Sequence, residues 1–318
     1  MKAPKLVILL FGLLILAACS KEEDIIIERN TTPSGGGNAT VNLNKNTTGP
    51  AEAQSLLEFP KLKGGTSVVV VHRAVLNKNT QQEGVNYCVE WDPEIHSQRW
   101  SCYQLYSSIN YHSSYNVARY YAPNDGTLSP ECQYPNDPDL PEEYRLTMDP
   151  FKGSGFDHGH ICPSADRQRA TECNYQTFFI TNMQPQYNKF NAGIWADMES
   201  QVRTWVAQFD TLFICKGGTI DSSSHIIKYL GSGNNRIPVP RYFFMAILGK
   251  KGSNYKATGF WIPQDSYSSL SLKDYAVNIK TLQSNTGIDF FCNLPDDTEN
   301  AVEGISYAQM QKEWTWYN

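Results

Sequence analysis

Excess positive charge is absent: 27 lysines and arginines are outnumbered by 32 aspartates and glutamates, a net charge of −5 with the six histidines neutral. The lack of a global basic field argues against broad and tight binding of polyanions, although one site can still concentrate positive charge or borrow it from a metal ion. A His-Glu-x-x-His segment and a paired-cysteine ligand set are also missing, which argues against a zinc hydrolase. The apolar run Leu6 to Ala18 is thirteen residues long, short of the roughly 20 that span a bilayer. What is present is a 41% hydrophobic content with many Tyr, Phe and Trp, enough for a substantial core. The length of 318 residues would allow two average domains. The first sixty residues read as non-globular, so one large domain is expected.

Lys2 and Lys5 before that short apolar run read as a signal peptide over residues 1–18. Leu16-Ala17-Ala18-Cys19 looks like a bacterial lipobox, which implies cleavage before Cys19 and lipid on its sulfur. Loss of the two lysines leaves 25 basic against 32 acidic residues, a charge of −7. Ser20 to Asp24 is similar to acidic tags on surface-displayed lipoproteins and reads equally as a solvated tether. The expected location is the cell envelope, lipid-anchored to the outer membrane. Glu28 to Glu52 is rich in Asn, Thr, Gly, Ser and Pro, so residues 19–64 read as a flexible tether and 65–318 as the folded domain.

Within that domain, the β-branched run Val68 to Val71, continuing to Val75, predicts a buried strand. Tyr87 to Trp91 and Arg99 to Leu105 flank Asp92-Pro93-Glu94; a turn near residue 95 sets Cys88 opposite Cys102, where a disulfide would fit. With Cys19 lipidated, seven cysteines remain, so at least one stays unpaired, and a Cys162–Cys173 link is a second candidate. Residues 122–141, crowded with Pro, Asn and Asp, predict a long functional loop. Phe178 to Thr181, Thr211 to Cys215, Arg241 to Leu248 and Ala257 to Ile262 read as strands. Trp195, Met198, Val202 and Trp205 give Ala192 to Phe209 a helical period, and Ser271 to Asp274 resembles an N-cap box before a helix from Tyr275 to Leu282. The result is a mixed α+β domain.

The densest chemistry lies in Asp157-His158-Gly159-His160, followed by Asn182, Gln186, Asn191 and Glu199. An imidazole takes a proton from water near neutral pH, while hard oxygen donors hold Mg²⁺ against a phosphate, so the pattern points to metal-assisted hydrolysis of a phosphodiester. On one continuous helix Asn191, Trp195 and Glu199 would follow at four-residue steps and face one region. Trp195 reads as core before it reads as a stacking platform, and buried amides such as Asn182 and Gln186 often serve the backbone.

Asp157 to Arg167, Thr177-Phe178, Asn182 to Gln186, Asn191 and Trp195 to Glu199 resemble the DNA/RNA non-specific endonuclease family. The likeness extends outward from Asn86-Tyr87 to Gly287 to Phe291. It implies a ββα-metal nuclease fold, a central mixed or antiparallel sheet flanked by helices. It also implies DNA and RNA as substrates, Mg²⁺ with Mn²⁺ as a substitute, and a 5′-phosphate product. By the same resemblance His160 is the general base, Asn191 the Mg²⁺ ligand, and Glu199 an acceptor for metal-bound water; Asn182 and Gln186 support them and Asp157 orients a neighbour.

Two departures stand out. His158 occupies the position of a phosphate-binding arginine and, with a reference pKa of about 6.5, would lose its charge as pH rises. The family's second arginine precedes an Asp-Pro in an Arg-x-aromatic context, whereas here Cys132-Gln133-Tyr134 precedes Asp137-Pro138. Arg119, Arg145, Arg167 and Arg169 are the cations that could compensate. The leading expectation is a non-specific endonuclease, since phosphate and metal contacts carry no sequence information. A surface binding protein on a degenerate nuclease scaffold, and a phosphodiesterase for small or lipid substrates with a closed pocket, are the alternatives.

Overall fold

The computed structural model describes residues 41–77, 79–106, 117–264 and 271–315. Cys19 and the signal segment lie outside the described residues. Seven antiparallel strands form the central sheet: β1 (Val68–Asn77), β2 (Gln82–Asp92), β3 (Ser97–Tyr106), β6 (Thr211–Gly218), β9 (Tyr242–Lys251), β10 (Asn254–Pro263) and β11 (Ala276–Val277), in that spatial order. Two small antiparallel sheets accompany it, β4 (Asp157–His160) with β5 (Met183–Gln186) and β7 (Ile226–Leu230) with β8 (Ile237–Pro240).

The strands read as continuous apolar runs because both faces of the sheet are covered. Tyr87, Val89, Tyr103, Leu105, Ile214, Met245 and Ile247 point to one side, against Trp195, Met198, Val202 and Trp205. The alternating residues Cys88, Cys102, Phe213, Cys215, Phe244 and Ala246 point to the other. There they meet Ile279 and Leu282 of α4 (Ile279–Thr286), Val302 of α5 (Asp296–Glu303), and Phe290. Two further helices are α1 (Thr171–Gln176) and α6 (Tyr307–Glu313). Among the described residues no helix is long and apolar enough to cross a membrane.

Several sequence expectations need correction. Residues 41–64 are not a free tether: Phe59 is buried edge-on to Trp100, with ring centroids 5.5 Å apart. Asn46 ties this segment together by donating to the carbonyls of Ala53 and Pro60 and accepting from the Leu62 amide. The Asn-rich composition that resembles a linker instead supplies amides that satisfy a folded, irregular backbone. Cys88 does lie opposite Cys102, but Cys215 flanks Cys102 on its other side. All seven described cysteines, including Cys162 and Cys173, are free and buried, packing as small apolar groups.

The helix expected from Ala192 is interrupted. A short α2 (Asn188–Phe190) passes through an irregular turn, Asn191–Trp195, into α3 (Ala196–Trp205), with Gly193 at non-helical φ −107° and ψ −115°. The even rotation of Asn191, Trp195 and Glu199 about one axis is therefore lost. Phe178 to Thr181 is likewise no strand: Ile180–Asn182 forms a 3₁₀ turn that leads into β5. The Ser271 box caps a 3₁₀ turn, Leu272–Tyr275, and α4 starts after its own cap, Asn278, whose side chain accepts from the Thr281 amide. β1, at the sheet edge, is mostly half-buried rather than buried.

Phe59 supplies a direct test of the packed N-terminal segment. Phe59→Ala should lower stability by about 3–5 kcal/mol in urea denaturation; an unchanged midpoint and slope would restore the tether reading.

Candidate active site

β4 and β5 pair with Asp157 opposite Gln186 and His160 opposite Met183, and the broken helix follows β5, giving a β–β–α unit on the covered sheet face. Its position is fixed by Asn182, whose side chain clasps both backbone polar groups of Cys162. Oδ1 accepts from the Cys162 amide at 2.8 Å, and Nδ2 donates to the Cys162 carbonyl at 2.9 Å and to the Thr177 carbonyl at 2.8 Å. Asn182 is fully buried and so fully engaged that it acts as a clamp behind the site, not as a group at the reacting centre.

In front of that clamp, Asp157, His158, His160 and Asn191 line one wide-mouthed cleft of about 440 Å³ with Arg119, Tyr134 and Lys152 among its other walls. Asp157 Oδ2 accepts from Asn188 Nδ2 and Asn191 Nδ2, each at 3.0 Å. This sets the Asn191 amide, since its NH₂ faces Asp157 and its Oδ1 is the atom left over.

His160 is held from three sides. Its carbonyl accepts from Trp195 Nε1 at 3.3 Å, its ring meets Phe178 edge-to-face at 4.8 Å, and one ring nitrogen bonds to the His158 backbone. Nε2 is buried without a hydrogen-bond partner, so the bonded nitrogen is Nδ1 and the lone pair resides on Nε2. Burial, then the charges of Arg119 and His158, hold its pKa down to about 3, against a weaker opposing effect of that backbone bond. The ring is a neutral acceptor at neutral pH.

His158, expected to replace an arginine on phosphate, is committed elsewhere. Its ring is stacked between Tyr134 at 3.6 Å and Phe151 at 4.2 Å, and Nε2 sits 3.0 Å from Asp149 Oδ2. It buttresses the cleft wall. Gln186 is buried with its amide folded over Gly159, where any Cβ would overlap Gln186 Cδ and Cγ. The glycine is thus required by close approach.

Glu199 is not brought to the lining of the cleft. Its Oε1 lies 2.6 Å from Nζ of the fully buried Lys216, and that Nζ lies 4.5 Å from the centroid of Trp195. Burial raises the Glu199 pKa while Lys216 opposes the rise. Glu199 is thus the counter-ion of Lys216 and reaches His160 through Lys216 and Trp195. Lys216 escaped the sequence reading; a lysine on the alternation that carries Leu212 and Ile214 inward was the available signal.

The donor set at the cleft suits a hard, mostly hydrated cation, with the Asn191 amide oxygen available and the Asp157 carboxylate beside it. Among the described residues, the clusters of three potential His, Cys, Asp or Glu ligands are elsewhere, at His72, Asp137 and Asp139 and at Asp289, Glu299 and Glu303. The cleft is thus a one- or two-ligand site, not a carboxylate cage.

Residues 71–297 match the family described as DNA/RNA non-specific endonuclease. Over 166 residues the chain is 32% identical to a protein named Nuclease from Nostoc sp., covering 50% of this chain and 59% of that one. It is 29% identical to Nuclease EXOG, mitochondrial, of Xenopus laevis, over 52% of this chain and 49% of that one. It is 26% identical to Endonuclease G, mitochondrial, of Homo sapiens, over 52% of this chain and 58% of that one. The aligned region thus spans about half to three fifths of these relatives. A crystal structure of an EndoG/EndoGI complex shares the fold at TM-score 0.52 and 22% identity, over 67% of this chain and 85% of that one.

The Gly159–Gln186 approach predicts coupled effects. Gly159→Ala should destabilise by about 1–3 kcal/mol through overpacking, and Gln186→Ala in the same chain should recover most of the loss. A double-mutant cycle by thermal melting checks this, and strict additivity would refute it.

Proposed function

The chain belongs to the DNA/RNA non-specific endonuclease family, and from that premise we propose that it is a metal-dependent endonuclease hydrolysing phosphodiester bonds of DNA and RNA with little sequence preference. The observation that carries the reading is the buried, unpartnered Nε2 of a neutral His160 in the cleft that Asn191 also lines. Asn191 Oδ1, oriented by Asp157, would hold the divalent cation, Mg²⁺ or Mn²⁺. When bound, that cation supplies charge neutralisation at the phosphate oxygens and orients the scissile group. His160 Nε2 takes the proton of the attacking water as its oxygen bonds to phosphorus. The bond to the 3′ oxygen breaks with inversion, that oxygen takes a proton from solvent, and the phosphate stays on the 5′ side.

The remaining residues serve this acceptor. Trp195 fixes the His160 carbonyl, Lys216 and Glu199 brace Trp195, and Asn182 holds the following peptide. The breadth of the cleft, with exposed Arg119, Lys152 and Gly153 at its rim, favours a polymer over a small or lipid phosphodiester. We further propose that Cys19 carries lipid and anchors the nuclease at the outer membrane, as the Leu16 to Cys19 segment supports.

Plasmid and RNA should be cut with Mg²⁺ and spared in EDTA, and His160→Ala should lower the rate about 10²–10⁴-fold. Cleavage surviving EDTA, or unaffected by His160→Ala, would overturn the assignment; a chain that binds nucleic acid without cutting it would favour the degenerate scaffold. Because the His160 pKa is displaced downward to about 3, the base stays neutral as pH falls through 6.5. Its loss to protonation should appear only toward that lower value, and an acid limb centred near 6.5 in kcat/KM would contradict this.

A further inference from the structure

Both positions at which the family carries a phosphate-binding arginine are altered here, to Cys132 and His158, and the structure makes neither a free cation. Cys132 is buried, and His158 is clasped by Asp149 between two rings. A site that stabilises a phosphorane still needs a donor on its oxygens. Of the four compensating arginines, Arg145 is turned to the carbonyls of Leu140 and Pro138, and Arg167 and Arg169 are buried. Lys152, at the rim, donates to the Asp125 carbonyl.

Arg119 differs. It is exposed, lines the cleft beside His160, and carries its guanidinium 4.8 Å above the centroid of Phe178, the same ring that meets His160 at 4.8 Å. The two groups are therefore within ~10 Å, a span that one phosphodiester and two hydrogen bonds of about 2.9 Å can fill. Its backbone is anchored on both sides, by Val117 N to Gln168 O and by Tyr120 N to Asn174 Oδ1, each at 2.8 Å. Tyr120 Oη also donates to the Cys132 carbonyl at 3.1 Å, so the segment carrying Arg119 is bonded to the segment that lost its arginine.

Resting on the nuclease reading above, we propose that Arg119 is the phosphate-binding cation of this site, supplied from the segment packed against Cys132 in place of the missing arginines. The guanidinium contacts a non-bridging phosphate oxygen of either DNA or RNA, held flat by Phe178 until substrate arrives. Such a contact fixes register and carries no base preference.

The test separates binding from turnover. In the His160→Ala chain, Kd for a fluorescent single-stranded oligonucleotide in EDTA is measured by anisotropy across NaCl concentrations. Adding Arg119→Gln should weaken binding about 10-fold and reduce the slope of log Kd against log salt by about 0.7; Arg119→Lys should retain the slope. With His160 intact, Arg119→Gln should lower kcat/KM about 10²-fold. An unchanged Kd and slope, or Lys behaving as Gln does, would overturn the proposal. If the unmodified chain cuts and Arg119→Gln cuts equally well, only this assignment fails. If the unmodified chain does not cut, the nuclease reading fails, and the salt slope alone then decides whether Arg119 meets phosphate.

Discussion

A neutral imidazole with one nitrogen left unsatisfied is the constraint around which the cleft is built. Burying an acceptor without a partner costs free energy, and the fold bears that cost at His160 Nε2 while bonding the backbone groups around it. The other ring nitrogen bonds to the His158 backbone, the His160 carbonyl accepts from Trp195, and Asn182 closes both polar groups of Cys162. The unsatisfied Nε2 and the equally unpartnered Gln186 amide over Gly159 fall together at the cleft, where function is the expected cause.

The same logic explains the buried charges. The fully buried Lys216 is paired with the half-buried Glu199, and such a pair contributes geometry more dependably than stability. Here the geometry gained is the seat of Trp195, under the histidine strand. Asp149 fixes the His158 ring in the cleft wall, and Asp137, 2.8 Å from Nε2 of the fully buried His72, fixes that ring of β1. Around these pairs the sheet supplies rigidity, covered on one face by α3 and on the other by α4, α5 and the segment near Phe59.

Much of this was legible in the sequence where the cause is local. The turn after Asp92 set Cys88 against Cys102, and the strands of the central sheet were marked by their apolar runs except β11, whose Ala276–Val277 read as part of a helix. The residues that line the cleft, Asp157, His158, His160 and Asn191, were found from their chemistry and spacing. What was hidden is non-local or depends on a single backbone angle. Gly193 breaks a helix whose apolar period runs on unbroken, Lys216 meets Glu199 across seventeen residues of chain, and Asp149 draws His158 away from phosphate. The segment from Val41 to Gly64 misled by composition, since its asparagines bond backbone groups and do not keep the chain loose.

Catalysis turns on the protonation state of one ring, and ¹⁵N NMR of the metal-free chain reads it directly. Between pH 8 and pH 5 the His160 nitrogens should keep the shifts of a neutral ring protonated at Nδ1, with no titration through 6.5. A full titration centred near 6.5, or a ring protonated at Nε2 in the neutral range, would contradict the placement of the base.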